Sequence, residues 1–335
     1  MSFPVLTLLF FVIGLIGLVW SANLFVSGSA SVAKHVGMTP MMIGLTVVAF
    51  GTSAPEMIVS ADAALGGIPA MGVGNAIGSN IANIGLVLGV TALIAKIPIN
   101  VGLMRLEAPL LLAATALSAI CLWDYQITYI EGWVLLGSTI PVSIILIRHA
   151  RKANKLSKAL RDSDIKSDAE IEVDIPDLSA LKSVVWLLIG LLALLGFADL
   201  LVSSAKTLAE YIGVSPMVIG LTVVALGTSL PELAASVTSA LKGHHEIAIG
   251  NIIGSNILNL LAVMALPGII APTSLDPSVI SRDLFTMTLL TLSLVLVMWL
   301  KTRSGSANKG IGRIIGLLFI GAYIAYYAVI FLNNS

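Results

Sequence analysis

Residues 44–60 read GLTVVAFGTSAPEMIVS, and residues 220–236 read GLTVVALGTSLPELAAS. Each copy carries one acid, Glu56 in the first and Glu232 in the second, among otherwise apolar and small side chains. An ionised carboxylate inside a membrane costs at least ~2.5 kcal/mol unless another group compensates it. A lone acid of this kind is often a protonated structural residue, but two at matching positions favour a site that uses their charge.

The composition is that of an integral membrane protein. Hydrophobic residues make up 57% of the 335 residues and charged residues 11%, whereas about a quarter of a soluble domain is charged. The apolar runs have the length of membrane helices, roughly 20 residues or more, and lack the short alternation of barrel strands. The single cysteine, Cys121, excludes an intramolecular disulfide and a thiolate metal cluster. We therefore predict an all-α integral membrane protein.

Ten apolar spans predict ten transmembrane helices. The spans lie near 4–33, 39–65, 70–95, 103–123, 128–147, 182–211, 215–240, 246–270, 279–300 and 311–332. One hydrophilic segment, 149–181, separates a first half, 1–148, from a second half, 182–335, and we expect it to be a solvated linker or a short surface helix. The first run has no basic stretch before it and is longer than the apolar core of a signal peptide, which predicts a retained helix.

Basic residues near the span ends predict the orientation. If both termini face the outer side, sixteen of the 18 lysines and arginines fall inside, and only Lys206 and Arg282 fall outside. The sequence thus predicts a multi-pass protein of the cell (inner) membrane with the 149–181 linker in the cytoplasm. Four acids flank helices and are expected to face water: Glu107, Glu131, Asp276 and Asp283.

A constant shift of 176 positions, as from Glu56 to Glu232, relates the two halves. A second block, GNAIGSNIAN at 74–83, returns at 250–259 as GNIIGSNILN with the same shift. A constant shift without gaps indicates the duplication of a whole unit. Because that unit holds five spans, an odd number, the second copy begins on the opposite side of the membrane. Inverted repeats of this kind recur in secondary transporters, which bind substrate near the midplane between the repeats.

Pro55 and Pro231 interrupt the second and seventh spans. A proline lacks the amide donor of a helix and clashes with a carbonyl about four residues earlier. Irregular backbone in a membrane is tolerated where it is buried in protein or lines a polar cavity. We therefore predict that both spans are broken into half-helices, with carbonyls freed near Ala49 and Ala225 and a glutamate directly after each break.

The polar groups around these breaks indicate a cation site. No lysine or arginine lies in either block, so two buried carboxylates require protons or metal cations, which argues against an anion carrier. Carboxylate, carbonyl and hydroxyl oxygens suit Ca²⁺, whereas Zn²⁺ or copper would favour His or Cys. The candidate oxygen donors are Glu56, Glu232, Thr52, Thr228, Ser53, Ser229, Ser79, Ser255, Asn83, Asn259, Ala49 and Ala225.

The second block has two readings. Ser79 and Asn83 are four residues apart, as are Ser255 and Asn259, so each pair lies on one helix face. These positions are suited to line the site. Small residues are also common at helix crossings in membranes, so the serines serve packing, ion binding or both.

The paired GTSxPE and GNxxGSNxxN blocks resemble the two alpha repeats of the calcium/cation antiporter superfamily, specifically the prokaryotic sodium/calcium exchangers. The resemblance extends over both halves and nearly all spans. It implies that Ca²⁺ and Na⁺ compete for one site, whose ligands are the glutamate, the Thr and Ser four and three residues before it, and the carbonyl seven before it. Those positions are Glu56, Thr52, Ser53 and Ala49, then Glu232, Thr228, Ser229 and Ala225, completed by Ser79 with Asn83 and Ser255 with Asn259.

One position departs from this pattern. Some members of the superfamily carry Asp at the end of the second-half block, where this chain has Asn259. The site then holds two acids and not three, which leaves the coupling ion, Na⁺ or H⁺, and any role of K⁺ open.

We therefore predict a secondary active antiporter, not an enzyme, that exchanges Ca²⁺ for Na⁺ by alternating access at a two-glutamate site and uses no cofactor. A cation/proton exchanger is the nearest alternative. A cation channel is less favoured because an inverted repeat within one chain is typical of alternating access. An intramembrane hydrolase would need a His, Cys or Lys beside the serines. The expected partners are the transported cations and membrane lipid, and no nucleic acid; the oligomeric state stays open, and a monomer is compatible with the sequence.

Overall fold

The computed structural model describes residues 3–99, 101–162, 176, 178–214, 225–303 and 310–334, and most of them are helical. The helices are α1 (Phe3–Val36), α2 (Pro40–Thr52), α3 (Ala54–Leu65), α4 (Pro69–Ile94), α5 (Val101–Arg105), α6 (Glu107–Cys121), α7 (Tyr129–Asp162), α8 (Ala180–Tyr211), α9 (Ala225–Gly227), α10 (Leu230–Leu241), α11 (His245–Ile270), α12 (Val279–Arg303) and α13 (Arg313–Asn334). Four two-residue strands are β1 (Ile97–Pro98), β2 (Gln126–Ile127), β3 (Thr273–Ser274) and β4 (Gly310–Ile311).

Most of the predicted membrane spans are present in the described part of the chain. Eight helices are long and apolar enough to cross a membrane, and α2 with α3 forms a ninth, bent span. The prediction of an all-α membrane protein is therefore confirmed. The one remaining predicted span, the seventh (215–240), lies partly outside the described residues, which include it only from residue 225 onward.

The hydrophilic segment begins as a helix and not as a loop. Helix α7 runs beyond residue 147, the predicted end of the fifth span, to Asp162. Residues 148–162 contain neither glycine nor proline, so nothing in the sequence stops the helix there. The division into two halves and a linker remains a prediction, because residues 163–175 fall outside the described ones.

The packing of α1 against α8, which hold matching positions in the two halves, shows the inversion of the repeats. A Cβ atom placed on Gly14 would lie 2.9 Å from the backbone nitrogen of Leu201, and one on Gly190 would lie 2.4 Å from that of Phe25. Residue 14 of α1 thus contacts residue 201 of α8, and residue 25, further along α1, contacts residue 190, which is earlier in α8. The two helices are antiparallel, and the 176-residue shift turns one contact into the other.

The four short strands repeat the same symmetry. Strand β1 pairs with β4, and β2 pairs with β3, both antiparallel. Strands β1 and β3 follow the matching helices α4 and α11, whereas β4 and β2 precede the matching helices α13 and α7. Each pair therefore joins one half to the other, as expected from a two-fold axis between the halves.

Glycines bring α2 against α11 at the centre of the molecule. A Cβ atom on Gly250 would lie 2.6 Å from the carbonyl oxygen of Met41, and one on Gly44 would lie 2.6 Å from that of Ile247. Only a residue without a side chain allows backbones to approach this closely. The contact places the GTS stretch of the first half beside the GNIIGSN stretch of the second.

The prediction that helix-flanking acids face water is wrong for two of them. Asp276 is exposed, but Glu107 is only 4% exposed and Asp283 only 8%. The Asp283 carboxylate accepts hydrogen bonds from Arg282 Nε, at 2.6 Å, and from the hydroxyl of Tyr326, at 3.1 Å. These partners offset its desolvation, and a sequence pattern does not reveal them.

Candidate cation site

The second span breaks at Ser53. Helix α2 ends at Thr52, and α3, which begins at Ala54, is bent away from it by 41°. Pro55 occupies the first turn of α3, where a missing amide is harmless. Glu56 follows in the same turn and is 1% exposed. The predicted break is therefore present, and it places the buried carboxylate at a helix N-terminus, which favours negative charge.

The second half has the same local structure around Glu232. Ser229 separates α9 from α10 with φ −89° and ψ 4°, close to the φ −82° and ψ 4° of Ser53. Pro231 and Glu232 again occupy the first turn of a 12-residue helix, and Glu232 is 0% exposed. The half-helix predicted before this break lies largely outside the described residues, which include only Ala225–Gly227 of it.

The expected freeing of a carbonyl at Ala49 is wrong. The Ala49 oxygen accepts a hydrogen bond from the Ser53 amide at 3.0 Å and lies 3.4 Å from the Thr52 hydroxyl, which also donates to it. Because Pro55 has no amide hydrogen, the carbonyl that loses its helical partner is that of Gly51, four residues before it. Ala49 is nevertheless fully buried beside Thr52, so its carbonyl stays near the break.

Asn75, which was not among the predicted site residues, forms hydrogen bonds to the half-helix that follows the first break. Its Nδ2 atom donates to the carbonyl oxygen of Glu56 at 3.1 Å and to the hydroxyl of Ser60 at 3.2 Å. The carbonyl of Glu56 lies in the half-helix that carries the carboxylate. The signal for this role was present in the sequence, because the Asn of the GN dipeptide is kept in both copies of the second block.

Asn251, the counterpart of Asn75, repeats both bonds and adds one between the halves. Its Nδ2 atom donates to Ser236 Oγ at 3.0 Å and to the carbonyl oxygen of Glu232 at 3.4 Å. Its Oδ1 atom accepts a hydrogen bond of 3.1 Å from the hydroxyl of Thr52. One amide therefore ties the second glutamate segment to the first break.

A second contact between the halves reaches a carboxylate directly. Ser53 Oγ donates to Oε1 of Glu232 at 3.3 Å. The Glu56 and Glu232 carboxyl groups also lie within electrostatic reach of each other. The structure thus brings the two acids, which are 176 residues apart in the sequence, into one buried polar centre.

The two asparagines at the ends of the second block mark irregular turns. Asn83 begins a π-helical segment, Asn83–Leu88, within α4, and Asn259 begins another, Asn259–Val263, within α11. Both asparagines are 0% exposed. Short π-helical segments occur frequently at functional sites. The sequence pattern identified these residues but not the change in helical pitch that starts at each.

Fourteen buried side-chain polar atoms have no hydrogen-bond partner among the described residues, and six of them belong to residues outside the predicted site: Asn80, Glu107, Ser239, His245, Asn256 and Tyr323. The other eight belong to predicted site residues and are Oε2 of Glu56, Oε2 of Glu232, Oγ of Ser229, Oγ of Ser255, and both amide atoms of Asn83 and of Asn259. Each such buried group costs about 1–3 kcal/mol when left unsatisfied. A cation coordinated by these oxygens would remove much of that cost.

The charges of this centre are carboxylates alone. In the described part of the chain, no lysine or arginine is among the buried polar residues, and no group of three or more His, Cys, Asp or Glu side chains could hold a metal ion. Oxygen ligands and two negative charges match a divalent cation such as Ca²⁺.

The structure gives less detail for the remaining predicted residues. Ser79 is buried, and Thr228 lies half-buried in the turn between α9 and α10. Ala225 begins α9, and its side chain is not described. The site is therefore described more fully on the side of the first break than on that of the second.

Comparisons with known proteins agree with this architecture. Residues 6–140 and 182–332 match the family described as sodium/calcium exchanger protein. CaxA of Alkalimonas amylolytica, named as a candidate antiporter, is 41% identical over 323 residues, which cover 96% of this chain and 98% of CaxA. The sodium/calcium exchanger MaX1 of Methanosarcina acetivorans is 29% identical over 351 residues, covering 96% of this chain and 98% of MaX1.

A solved structure extends the similarity to the fold. The sodium-calcium exchanger NCX_Mj, soaked with zero Na⁺ and Ca²⁺, matches with a TM-score of 0.80 and 32% sequence identity, covering 97% of this chain and 99% of that chain. The family match covers most of both halves and leaves out residues 141–181, which include the hydrophilic linker. The chain therefore belongs to the sodium/calcium exchanger family of membrane transporters.

Proposed function

We propose that this chain exchanges Ca²⁺ for Na⁺ across the cell inner membrane, with both ions binding between Glu56 and Glu232. Family membership supports cation exchange in general. The observation that carries the specific proposal is that eight of the fourteen buried polar atoms without partners among the described residues belong to the predicted ligands, including one oxygen of each glutamate. Two negative charges balance one Ca²⁺, and Na⁺ ions that replace it preserve the balance.

The proposed ligands are those predicted from the sequence. They are Glu56, Thr52, Ser53, Ala49, Ser79 and Asn83 from the first half, and Glu232, Thr228, Ser229, Ala225, Ser255 and Asn259 from the second. Asn75 and Asn251 act as positioning residues, because their amides bond to the carbonyl of each glutamate and not to its carboxyl group.

Alternating access is supported by the inverted repeats and by a difference between equivalent groups. Ser53 contacts Glu232, whereas the hydroxyl of Ser229 has no partner among the described residues. Two halves related by a two-fold axis can exchange such roles, and that exchange would open the same site to opposite faces.

Proton coupling is the alternative, and the absence of a third acid favours it. The two copies of the second block end in Asn83 and Asn259, where an acid would supply a third negative charge. The described centre therefore holds two carboxylates only. Buried carboxyl groups without a basic partner take up protons readily. Protons and not Na⁺ would then replace Ca²⁺ at the two glutamates.

The experiment is uptake of ⁴⁵Ca²⁺ into vesicles that contain the purified protein. We expect an outward Na⁺ gradient to drive saturable uptake, and the Glu56→Gln, Glu232→Gln double variant to lose it while still inserting into the membrane. Glu210→Gln is the matched control, because this acid forms only an exposed pair with Lys206 and contributes little. Uptake driven by a pH gradient but not by Na⁺ would replace the proposal with cation/proton exchange, and full activity in the double variant would refute the site.

We also propose that both termini face outward and that the 149–181 linker is cytoplasmic. The distribution of basic residues supports this orientation. A cysteine introduced at Ser157 should react with a membrane-impermeant thiol reagent only from the cytoplasmic side, since the native Cys121 is buried. Labelling from the outer side of intact cells would reverse the proposed topology.

A further inference from the structure

A cavity of about 590 Å³ lies where the ends of α4 and α12 meet the start of α13, away from the two glutamates. Three basic side chains line it, those of Lys96, Lys301 and Arg313. None of the ten described residues that form its wall is acidic. The cavity is therefore a concentrated positive site at one end of the helix bundle.

Two of these basic groups are held in place by the backbone. Arg313 Nε donates a hydrogen bond of 3.1 Å to the carbonyl oxygen of Leu93, the residue before the last of α4. The Lys96 side chain passes over Gly310, since a Cβ atom on that glycine would lie 2.8 Å from Lys96 Cε. Gly310 belongs to β4, which pairs with β1 directly after Lys96. The short sheet thus positions Lys96 at the cavity, and the bond to Leu93 positions Arg313.

Exposed apolar side chains form another part of the wall. Ile94 is 43% exposed and Ile314 is 77% exposed, and both line the cavity. Residues at the start of α13, a 22-residue helix, also contribute, and the amides of a helix N-terminus favour a bound phosphate. Cations beside exposed apolar side chains form a surface that complements the two parts of an anionic phospholipid, its headgroup and its acyl chains.

We propose that this cavity binds the phosphate group of an anionic phospholipid, with the glycerol and acyl chains along Ile94 and Ile314. Basic pockets between transmembrane helices are a known means of binding acidic headgroups. The orientation predicted from the lysine and arginine distribution would place the cavity on the cytoplasmic side. The site is separate from the proposed exchange site, and the proposal does not depend on which ion drives exchange.

The test uses the purified full chain in detergent and three probes at equal ionic strength: short-chain phosphatidylglycerol, short-chain phosphatidylcholine and inorganic phosphate. Native mass spectrometry counts bound lipid, and the shift in thermal unfolding temperature measures affinity. We expect one phosphatidylglycerol to bind saturably and in preference to phosphatidylcholine. Each basic group near an acidic headgroup contributes roughly a fivefold factor, so the Lys96→Gln, Lys301→Gln, Arg313→Gln variant should bind about a hundredfold more weakly.

Two further variants keep the test decisive. Arg105→Gln, Arg148→Gln, Lys182→Gln removes three basic groups that do not line the cavity, and it should bind as the wild type does. If the first variant does not fold, Lys96→Gln, Lys301→Gln keeps the bond from Arg313 to Leu93 and should still bind about 25-fold more weakly. Equal binding of the two lipids, or equal loss in both triple variants, would overturn the proposal. An equal shift with inorganic phosphate would show that the site takes a free anion and not a lipid.

Discussion

Ser53 Oγ donates a hydrogen bond of 3.3 Å to Oε1 of Glu232, so the helix break of one half contacts the carboxylate of the other. The equivalent hydroxyl, on Ser229, is buried without a partner among the described residues. The halves are therefore repeats in sequence but not equivalent in this conformation. An alternating-access transporter with inverted repeats is expected to be asymmetric in this way.

The first prediction follows from that asymmetry. In Ca²⁺-free protein, Ser53→Ala should lower the free energy of unfolding by about 1–2 kcal/mol, because it removes a bond to a carboxyl group. Ser229→Ala should lower it by less than Ser53→Ala, since no such bond is lost. Denaturant titration of both variants in detergent measures the difference. Equal losses would mean that this conformation is not the main one in solution.

The second prediction concerns Asn75 and Asn251, which form hydrogen bonds to the glutamate segments. Asn251→Leu removes bonds to Ser236, to the Glu232 carbonyl and to Thr52, whereas Asn75→Leu removes only the bonds to Ser60 and the Glu56 carbonyl. At roughly 0.6–1 kcal/mol for each bond in a membrane, Asn251→Leu should destabilise the protein by about 2–3 kcal/mol and Asn75→Leu by less.

The Asn251→Leu variant also tests whether Asn251 contributes to ion binding. We expect Asn251→Leu to weaken Ca²⁺ binding, measured by titration calorimetry, because Thr52 and Glu232 both lose a positioning partner. Unchanged Ca²⁺ affinity in a folded Asn251→Leu protein would contradict the positioning role.

The third prediction tests the close approach of α2 and α11. Gly250→Ala would bring a Cβ atom within 2.6 Å of the Met41 carbonyl oxygen, and backbone must move to relieve the clash. Overpacking of this kind costs about 1–3 kcal/mol. Gly196→Ala is the control, because this glycine is exposed and its Cβ would meet no described atom within 4 Å. The thermal unfolding temperature should fall for Gly250→Ala and stay unchanged or rise slightly for Gly196→Ala.

The fourth prediction concerns addition and removal of Ca²⁺. Since a ligand stabilises the folded state that binds it, Ca²⁺ at a hundredfold excess over its dissociation constant should add about 2.7 kcal/mol to the free energy of unfolding. A chelator should reverse the gain. Glu56→Gln, Glu232→Gln should show no gain, whereas Glu210→Gln should keep it. A full gain in the double variant would place the binding site elsewhere.

The fifth prediction concerns Asn259, the position at which some members of the superfamily carry Asp. Asn259→Asp adds a third negative charge beside the proposed cation, and we expect Ca²⁺ to bind about tenfold more tightly at neutral pH. Asn23→Asp is the control, because the Asn23 amide lies in an exposed position, donates to the Val19 carbonyl of its own helix and is not among the proposed ligands. Tighter binding in the control would show a general effect of charge and not coordination at the site.

Some features of the site were predictable from the sequence and others were not. The glutamates, the breaks beside them and the asparagines that end the second block all occur in repeated local patterns, so their residue types and spacing reveal them. The bond of Thr52 to Asn251 links residues 199 positions apart, and no local pattern indicates which donor meets which acceptor. The burial of Glu107 and Asp283 was missed for the same reason, because burial depends on the neighbouring helices.

The sequence by itself determined that this chain spans a membrane in helices, that its two halves are inverted copies, and that each copy contributes one glutamate after a helix break. Composition, the proline positions and an odd number of spans in each repeat are sufficient for these conclusions. Only the tertiary structure decided that the Ala49 carbonyl is occupied, that Asn251 joins the halves, and that Ser53 and not Ser229 contacts a carboxylate. The Ala49 carbonyl is occupied by bonds within its own helical turn. The contact of Asn251 with Thr52 depends on how closely α2 and α11 pack through Gly44 and Gly250, and that of Ser53 with Glu232 depends on the packing of α10; packing of distant segments is a property of the folded chain as a whole.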